Sequence, residues 1–230
     1  GRFYPRGLKP AEWLRFLAER FDTVEVNYSF YRIPSPESVA AWSNATPPGF
    51  RFAMKLWRGI TQFRKLLNSS EPLAQFLAAA NAMPIPQRAP LLIQLPPHMG
   101  IHIERLDTFL AELKSQMHNS PWPVAVEFRN RTWLAEPVYR LLNHHHAALA
   151  ITDSGHCPTS EPNDVDFVYV RRHGGWNHPE GRYLPEQIAQ DAGRIKGWLA
   201  AGKDVFVYYN NDLFGHAVDN ARELKEMVAS

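Results

Sequence analysis

The sequence of 230 residues has one cysteine, no long apolar run and almost no net charge. Since Cys157 is the only thiol, an intramolecular disulfide is excluded, and this favours a reducing, cytoplasmic compartment. No stretch of about 18 apolar residues is present, so the sequence predicts no membrane-spanning helix. The opening segment also lacks the apolar core of a signal peptide.

The charge balance is 25 Lys and Arg against 23 Asp and Glu, a net charge of +2. A bulk field that attracts nucleic acid or a membrane surface is therefore excluded, and only a local patch could do so. Intrinsic disorder is excluded as well, because 45% of the residues are hydrophobic and 12% are aromatic. The length fits one α/β domain over residues 1–230.

Seven short segments, rich in β-branched and aromatic residues, are predicted to be strands. They are residues 23–29, 51–55, 90–95, 123–129, 147–153, 166–172 and 204–210. Stretches with helical spacing lie between most of them, at residues 10–20, from 35 onwards, 71–80, 103–118, 136–146, 185–201 and 217–228. This alternation predicts a parallel sheet with helical crossovers. The exception is 154–165, which is too short and too rich in Gly and Pro for a crossover helix.

Seven strands are one short of an eight-stranded barrel, so either a first strand is missing or the sheet is open. Polar residues follow almost every predicted strand at its C-terminal end, where barrel enzymes place their chemistry. They are Glu25, Asn27, Lys55, Gln94, Glu127, Arg129, Asp153, Arg171, His173, Asn210 and Asp212. An open doubly wound sheet would concentrate such residues at one switch point. The sequence therefore predicts a TIM-like parallel (β/α) barrel that lacks its first strand.

Motifs along nearly the whole chain carry a family resemblance. They are FYP at 3–5, EVNYSFYRIP at 25–34, FAMK at 52–55, QLPP at 94–97, VEFR at 126–129 with Trp133, YVR at 169–171 with His173-Gly174, YNND at 209–212, GHA at 215–217 and Asn220-Ala221. In these the sequence resembles the YecE-like proteins, which contain a domain of unknown function, DUF72. The resemblance implies a TIM-barrel-like fold and a first strand, usually ending in a Gly-Thr-Ser-Gly-Trp-type segment, ahead of Gly1. It implies no particular activity.

Strand side chains alternate between two faces, so the residues at each strand end are expected to share one barrel mouth. The mouth would collect three acidic groups (Glu25, Glu127, Asp153) and three cations (Lys55, Arg129, Arg171), with His173 and His216 nearby. Charges in such a cavity must pair or bind a ligand. An ion-pair network that merely closes the barrel top is the alternative, but the two histidines add to the three cations, and this excess of positive groups favours an anionic ligand.

Each mouth residue receives an expected role. Lys55, Arg129 and Arg171 bind the anion, and Glu127 or Asp153 acts as general base or acid. His173 and His216 move protons near neutral pH. The remaining ligand-binding candidates are Glu25, Asn27, Gln94, Asn210 and Asp212.

No cofactor is predicted. A divalent metal on Glu25, Glu127, Asp153, His173 and His216 is a weak alternative, because no tight metal-ligand spacing is present. The run His144-His145-His146 is expected at the C-terminal end of a helix, where it would interact favourably with the helix dipole. Cys157 beside His156 is not expected to be a catalytic pair. The turn at Gly174-Gly175-Trp176 is either a ligand-covering loop or a turn that needs glycine.

The preferred function is an enzyme that performs acid–base or hydrolytic chemistry on an anionic, phosphorylated ligand at the barrel mouth. The alternative is a nucleic-acid-binding or nuclease-like protein that uses the same mouth. It rests on the cations Arg58, Arg64 and Lys65 beside Trp57 and Phe63, because aromatic rings stack on bases. A solvated surface explains that stretch equally well. The oligomeric state is left open.

Overall fold

The computed structural model describes residues 3–155, 157–174 and 181–230. Its strands are β1 (Thr23–Val26), β2 (Arg51–Lys55), β3 (Arg88–Gln94), β4 (Val124–Glu127), β5 (Ala147–Leu149), β6 (Ile151–Thr152), β7 (Phe167–Arg172) and β8 (Asp204–Tyr209). Its α-helices are α1 (Pro10–Ala18), α2 (Tyr28–Tyr31), α3 (Pro36–Asn44), α4 (Ser70–Ala80), α5 (Ile103–Gln116), α6 (Glu136–His144), α7 (Pro185–Ala200) and α8 (His216–Ala229). A π-helical turn spans Gly59–Phe63. The fold is α/β, with parallel strands and helical connections.

The strands form two parallel sheets, in the orders β1-β2-β3-β4-β5 and β6-β7-β8. The single predicted strand at 147–153 is wrong in one respect, because it is divided at Ala150 into β5 and β6. Up to Leu149 this segment pairs with β4, and from Ile151 it pairs with β7. The segment changes partner at Ala150, so one short stretch of chain connects the two sheets.

The remaining edges, on β1 and β8, face each other without a ladder in the described backbone. Side chains bridge them instead. Thr23 Oγ1 lies 2.8 Å from Tyr208 Oη, and Arg51 Nη1 lies 3.2 Å from Asp204 Oδ2. Closure into a barrel therefore stays a prediction, and parallel sheets covered by helices are what the backbone establishes.

The two faces of the sheets carry different side chains, as a period of two requires. The helix-covered face buries large residues, among them Phe52, Met54, Leu91, Ile93 and Val126. The opposite face is lined by small residues from β2 to β5 and by aromatic residues from β7 and β8. They include Ala53, Ala125, Ala148, Ala150, Tyr169 and Tyr208. Alanines opposite tyrosines fill this interior, and the polar strand ends lie beyond them.

One predicted strand end changes, and one predicted helix start is confirmed. β1 stops at Val26, because Asn27 has helical backbone angles and directly precedes α2. Ser35 caps α3 by accepting a hydrogen bond from Ser38 N at 3.2 Å, as the Ser-Pro start predicts. None of the described helices is both long and apolar enough to cross a membrane.

Candidate active site

Glu127, the last residue of β4, is completely buried and is bound by three neighbouring side chains. Arg171 donates from Nη1 to Oε2 at 2.5 Å. Arg129 forms an ion pair through Nε with Oε1, and Gln94 donates from Nε2 to the same oxygen at 3.0 Å. The site is therefore organised around one carboxylate shared by two guanidinium groups.

Arg171 also binds Glu25 on β1 with a two-pronged contact. Nε donates to Oε2 at 2.9 Å and Nη2 donates to Oε1 at 2.8 Å, while Tyr169 donates its hydroxyl to Oε2 at 2.6 Å. The side chains of Arg171 and Glu25 are each 3% exposed. One guanidinium thus links β1, β4 and β7, and two of the predicted acids and one predicted cation meet here.

Glu127 and Arg171 both stay charged in their buried pair. Burial alone would raise the pKa of Glu127, but the charges of Arg171 and Arg129 outweigh it and lower that pKa to about 2. Burial alone would lower the pKa of Arg171, whereas Glu127 and Glu25 raise it above its ordinary value. Glu127 is therefore ionised throughout the physiological range. This favours a role in holding the arginines over the acid–base role expected from the sequence.

Arg129, which follows β4, extends the network towards His173. Its Nη1 donates to Ser154 Oγ at 2.5 Å, and its Nη2 lies 3.1 Å from His173 Nε2. Burial, and then the charges of Arg171 and Arg129, lower the pKa of His173 to about 4, although Glu127 and Asp153 oppose this. The imidazole is neutral at pH 7, with Nε2 as the acceptor, which assigns the proton to Nδ1.

Lys55 differs from the two arginines because no described carboxylate or hydrogen-bond acceptor binds its ammonium group. It is the last residue of β2 and is 8% exposed. Its Nζ lies 4.0 Å from the centroid of the Phe30 ring. Burial and Arg171 lower the pKa of Lys55 to about 8, and Glu127 and Glu25 oppose that shift. Lys55 is the group in this cluster whose charge changes closest to neutral pH.

Asp153 follows β6 and lies next to His173 rather than on the arginines. Its Oδ1 accepts from the backbone N–H of His173 at 2.8 Å, and its Oδ2 accepts from the hydroxyl of Tyr183. Gly174 N donates to the Tyr183 hydroxyl oxygen at 2.8 Å. Burial raises the pKa of Tyr183, so this hydroxyl keeps its proton. Asp153 therefore fixes the strand end that carries His173.

Four predicted residues lie elsewhere. Asn27, Asn210 and Asp212 line a cavity of about 440 Å³ between β1 and β8, and Glu25 also lines it. Burial raises the pKa of Asp212. His216 is buried at the start of α8, where its ring lies 6.0 Å from that of Phe214, and the ion pairs described above do not include it.

The metal-ligand candidates lie mostly within this site, and the nucleophile candidate Cys157 lies outside it. Within the described ranges, no three His, Cys, Asp or Glu side chains form a group that could hold a metal ion. Cys157 is fully buried and its pKa is raised by burial; His156, like Gly175 and Trp176, lies outside the described residues. Helix α6 ends at His144, as predicted, and His145 Nε2 lies 2.6 Å from Asp107 Oδ1.

Sequence reasoning missed three contributors to the site: Tyr169, Tyr183 and Ser154. Tyr169 precedes Arg171 by two residues on the same strand face, so the period of two could have identified it. Tyr183 and Ser154 lie in irregular connections, where no periodicity indicates which way a side chain points.

The predicted cationic–aromatic stretch forms a surface beside α2. The guanidinium carbon of Arg58 lies 5.3 Å from the Tyr31 ring centroid and 5.5 Å from that of Phe63. Tyr31 and Phe63 are 62% and 70% exposed. We call Tyr31, Arg58 and Phe63 the Arg58 surface. Arg64 donates to Asn68 O at 3.3 Å instead, and Trp57 packs against the core.

Comparison with known proteins gives a family and a fold. The family model described as "Protein of unknown function DUF72" matches residues 1–230. The chain is 26% identical over 255 residues to UPF0759 protein YunF of Bacillus subtilis, covering 98% of this chain and 89% of that one. Among solved structures, it is similar to a DUF72 family protein from Thermotoga maritima with a TM-score of 0.82 at 24% identity, covering 99% and 93% of the two chains. A DUF72 family protein from Enterococcus faecalis aligns with a TM-score of 0.80 at 22% identity, covering 94% and 88%.

Proposed function

Given that this chain belongs to the DUF72 family, whose function is unknown, we propose that it is an enzyme performing acid–base chemistry on a small anionic, phosphorylated ligand. The observation that carries the proposal is the unpaired charge in the buried cluster. Two carboxylates, Glu25 and Glu127, face three cations, and His173 is neutral. The third cation, Lys55, forms no ion pair among the described residues, so an anionic ligand would supply the partner it lacks.

The contacts suggest a division of roles within the cluster. The side chain of Arg171 is 3% exposed and is occupied by two carboxylates, so it and Glu127 fix the geometry. The side chain of Arg129 is 16% exposed and that of His173 is 22% exposed, so both are accessible to a ligand. We assign anion binding to Arg129 and Lys55, and proton transfer to Lys55 and His173. Asp153 positions His173 through the backbone.

The finer fold assignment is also a proposal: a TIM-like barrel whose opening lies between β8 and β1. The cavity of about 440 Å³ at that opening supports it, because it runs between the two unpaired edges beneath α1, α7 and α8. In such a barrel, the cluster would lie at the C-terminal mouth, where the fold places catalytic groups.

Anion binding is tested by titration calorimetry at low ionic strength. The probes are dihydroxyacetone phosphate, glycerol 3-phosphate and inorganic phosphate, with dihydroxyacetone and glycerol as uncharged counterparts. We expect the phosphorylated probes to bind, and we expect Arg129→Gln to lower their affinity at least tenfold. Arg140→Gln, an exposed arginine on α6, is the matched control and should bind like the wild type. Equal binding by Arg129→Gln, or none by the wild type, contradicts the proposal.

Proton transfer is tested by ¹H NMR of dihydroxyacetone phosphate in D₂O with the protein present. Deuterium should replace a carbon-bound hydrogen beside the carbonyl, and Lys55→Met should slow the exchange by roughly 10²–10⁴-fold, the usual effect of a positioned acid–base group. If the protein binds phosphate but no phosphorylated carbonyl compound tested exchanges its carbon-bound hydrogen, the protein binds anions and the acid–base proposal is contradicted.

A second candidate function, single-stranded nucleic-acid binding, is favoured by the Arg58 surface. Stacking of bases on two exposed rings beside a guanidinium is sequence-tolerant and depends on salt. Fluorescence anisotropy of a labelled oligonucleotide across a salt series tests it. The candidate predicts weaker binding for Arg58→Gln and for a Tyr31→Ala, Phe63→Ala double variant, with Arg140→Gln unchanged. Absence of binding at low salt removes it.

A further inference from the structure

Lys55 is held in place more rigidly than a surface lysine. It pairs with Leu92 of β3, and its own carbonyl accepts a hydrogen bond from the buried Ser29 hydroxyl at 2.7 Å. Phe30 covers one side of the ammonium group at 4.0 Å. The backbone and the tip of this side chain are therefore both positioned before any ligand arrives.

The carboxylates close enough to influence Lys55 are already paired with arginines. Arg171 occupies both oxygens of Glu25, and Arg171 and Arg129 share Glu127. An amine in such a place is not needed for charge pairing. When the ammonium group loses its proton, the nitrogen lone pair becomes available for attack. No described hydrogen-bond acceptor stabilises the protonated form.

Burial and the positive charge of Arg171 make that loss easy. With a pKa of about 8, about a quarter of Lys55 is unprotonated at pH 7.5, compared with about one part in a thousand for an ordinary lysine. A desolvated lysine near another cation is the usual environment of a nucleophilic amine.

We propose that the Lys55 amine forms a Schiff base with the carbonyl group of an aldehyde or ketone that also carries an anionic group. This inference rests on the proposed function, since Arg129 would bind the anionic group, and it specifies the substrate class. The amine attacks the carbonyl carbon, and a proton moves from nitrogen to oxygen to give a carbinolamine. The hydroxyl then leaves with the second N–H proton as water, and a C=N bond remains. No oxidant or reductant takes part.

Trapping with sodium cyanoborohydride tests the step, because hydride converts the C=N bond into a stable secondary amine. The wild-type protein is incubated with pyruvate or with dihydroxyacetone phosphate, and the adduct is located by peptide mass spectrometry. We expect one dominant adduct, on Lys55, whose formation rate rises with pH and levels off above about pH 8. An exposed lysine would continue to gain reactivity up to about pH 10.

Three variants separate the explanations. Lys55→Met and Lys55→Arg should both lose the adduct, because neither replacement carries a nucleophilic primary amine. Lys196→Met removes an exposed lysine of α7 and should leave the adduct unchanged. Arg129→Gln should lower trapping of the two anionic probes at least tenfold but not that of uncharged dihydroxyacetone.

The outcomes also separate this inference from the proposed function. Normal phosphate binding with no adduct on Lys55, or with adducts spread over the exposed lysines, overturns the Schiff base and leaves the anion-binding proposal standing. An adduct on Lys55 with dihydroxyacetone, without phosphate binding, supports the reactive amine and contradicts the anionic ligand.

Discussion

Individual ionisable residues carry energetic consequences that can be measured without knowing the ligand. Lys55 is 8% exposed with a pKa of about 8, well below the ordinary value of 10.5. The folded state therefore binds this proton more weakly than the unfolded state does. Keeping Lys55 charged lowers the free energy of unfolding by up to about 3 kcal/mol below pH 8, and that penalty disappears as the pH rises towards 10.5.

Lys55→Met should accordingly stabilise the protein at pH 7 by up to about 3 kcal/mol, and the gain should shrink between pH 8 and pH 10.5. Urea unfolding at several pH values measures it. Lys196→Met, on the exposed side of α7, should change stability by less than about 0.5 kcal/mol. A Lys55→Met variant less stable than the wild type at pH 7 would show that the ammonium group is needed for folding.

His173 gives the corresponding effect in acid. Its pKa is lowered to about 4, chiefly by burial. Between about pH 6.5 and pH 4, His173 therefore binds a proton in the unfolded state but not in the folded state. Stability should fall over that window by up to about 3 kcal/mol. His173→Gln, whose amide oxygen can still accept from Arg129, should lack this part of the fall. Above pH 6.5 the two stability curves should be parallel, and parallel curves down to pH 4 would refute the assignment.

The sequence predicts which residues approach one another better than it predicts how they pair. Glu25, Glu127, Arg129, Arg171 and His173 lie at or just beyond the C-terminal ends of parallel strands, so their proximity is expected from the strand ends alone. That Arg171 binds both carboxylates depends on strand register, which the pattern does not contain. Asn27 lies outside the cluster for a local reason, because β1 ends at Val26, three residues before the predicted end at residue 29.

At the scale of elements, the segment around Ala150 has a division into two strands that sequence patterns do not predict. Residues 147–151 are all apolar, so 147–153 reads as one strand, but only tertiary pairing decides that β5 joins β4 and β6 joins β7. The helices were predicted to within two residues at most ends, because their apolar spacing and caps are local. The short helix α2 and the π-helical turn have no comparable signal.

The alanine-lined interior face makes a prediction about β4. Ala125 is fully buried in the cluster that contains Tyr169 and Tyr208, so there is no room for a larger side chain. Ala125→Leu should lower the free energy of unfolding by about 1–3 kcal/mol through overpacking. Ala74→Leu, on an exposed position of α4, is the matched control and should be nearly neutral. A neutral Ala125→Leu would indicate unfilled space in this interior. Chemical denaturation of both variants decides the point.

For the whole molecule, Arg171 is a buried connection between the two sheets, since β7 belongs to one and β1 and β4 belong to the other. Arg171→Gln leaves two buried carboxylates without their main partner and should cost about 3–5 kcal/mol. The loss should appear first as faster hydrogen exchange in β1, which in the described backbone pairs only with β2.

The exposed pair of Arg51 with Asp204 is the control, because it bridges the same two sheets at the surface. Arg51→Gln should cost about 1 kcal/mol or less, as solvent-exposed pairs do. If Arg51→Gln and Arg171→Gln lowered the free energy of unfolding by similar amounts, burial of the Arg171 ion pairs would add nothing to the stability of the contact between the sheets.

The single buried thiol supplies the chain with a reporter of its own. Cys157 N donates to Ser154 O at 3.1 Å, so the backbone of this fully buried residue is linked to the residue whose hydroxyl accepts from Arg129. A thiol reagent can reach Cys157 only when the structure around it opens, and the labelling rate therefore measures that local opening in the unmodified protein. A compound that binds Arg129 and stabilises this region would slow the labelling. A collection of metabolites could be screened in this way before a single reaction product is known.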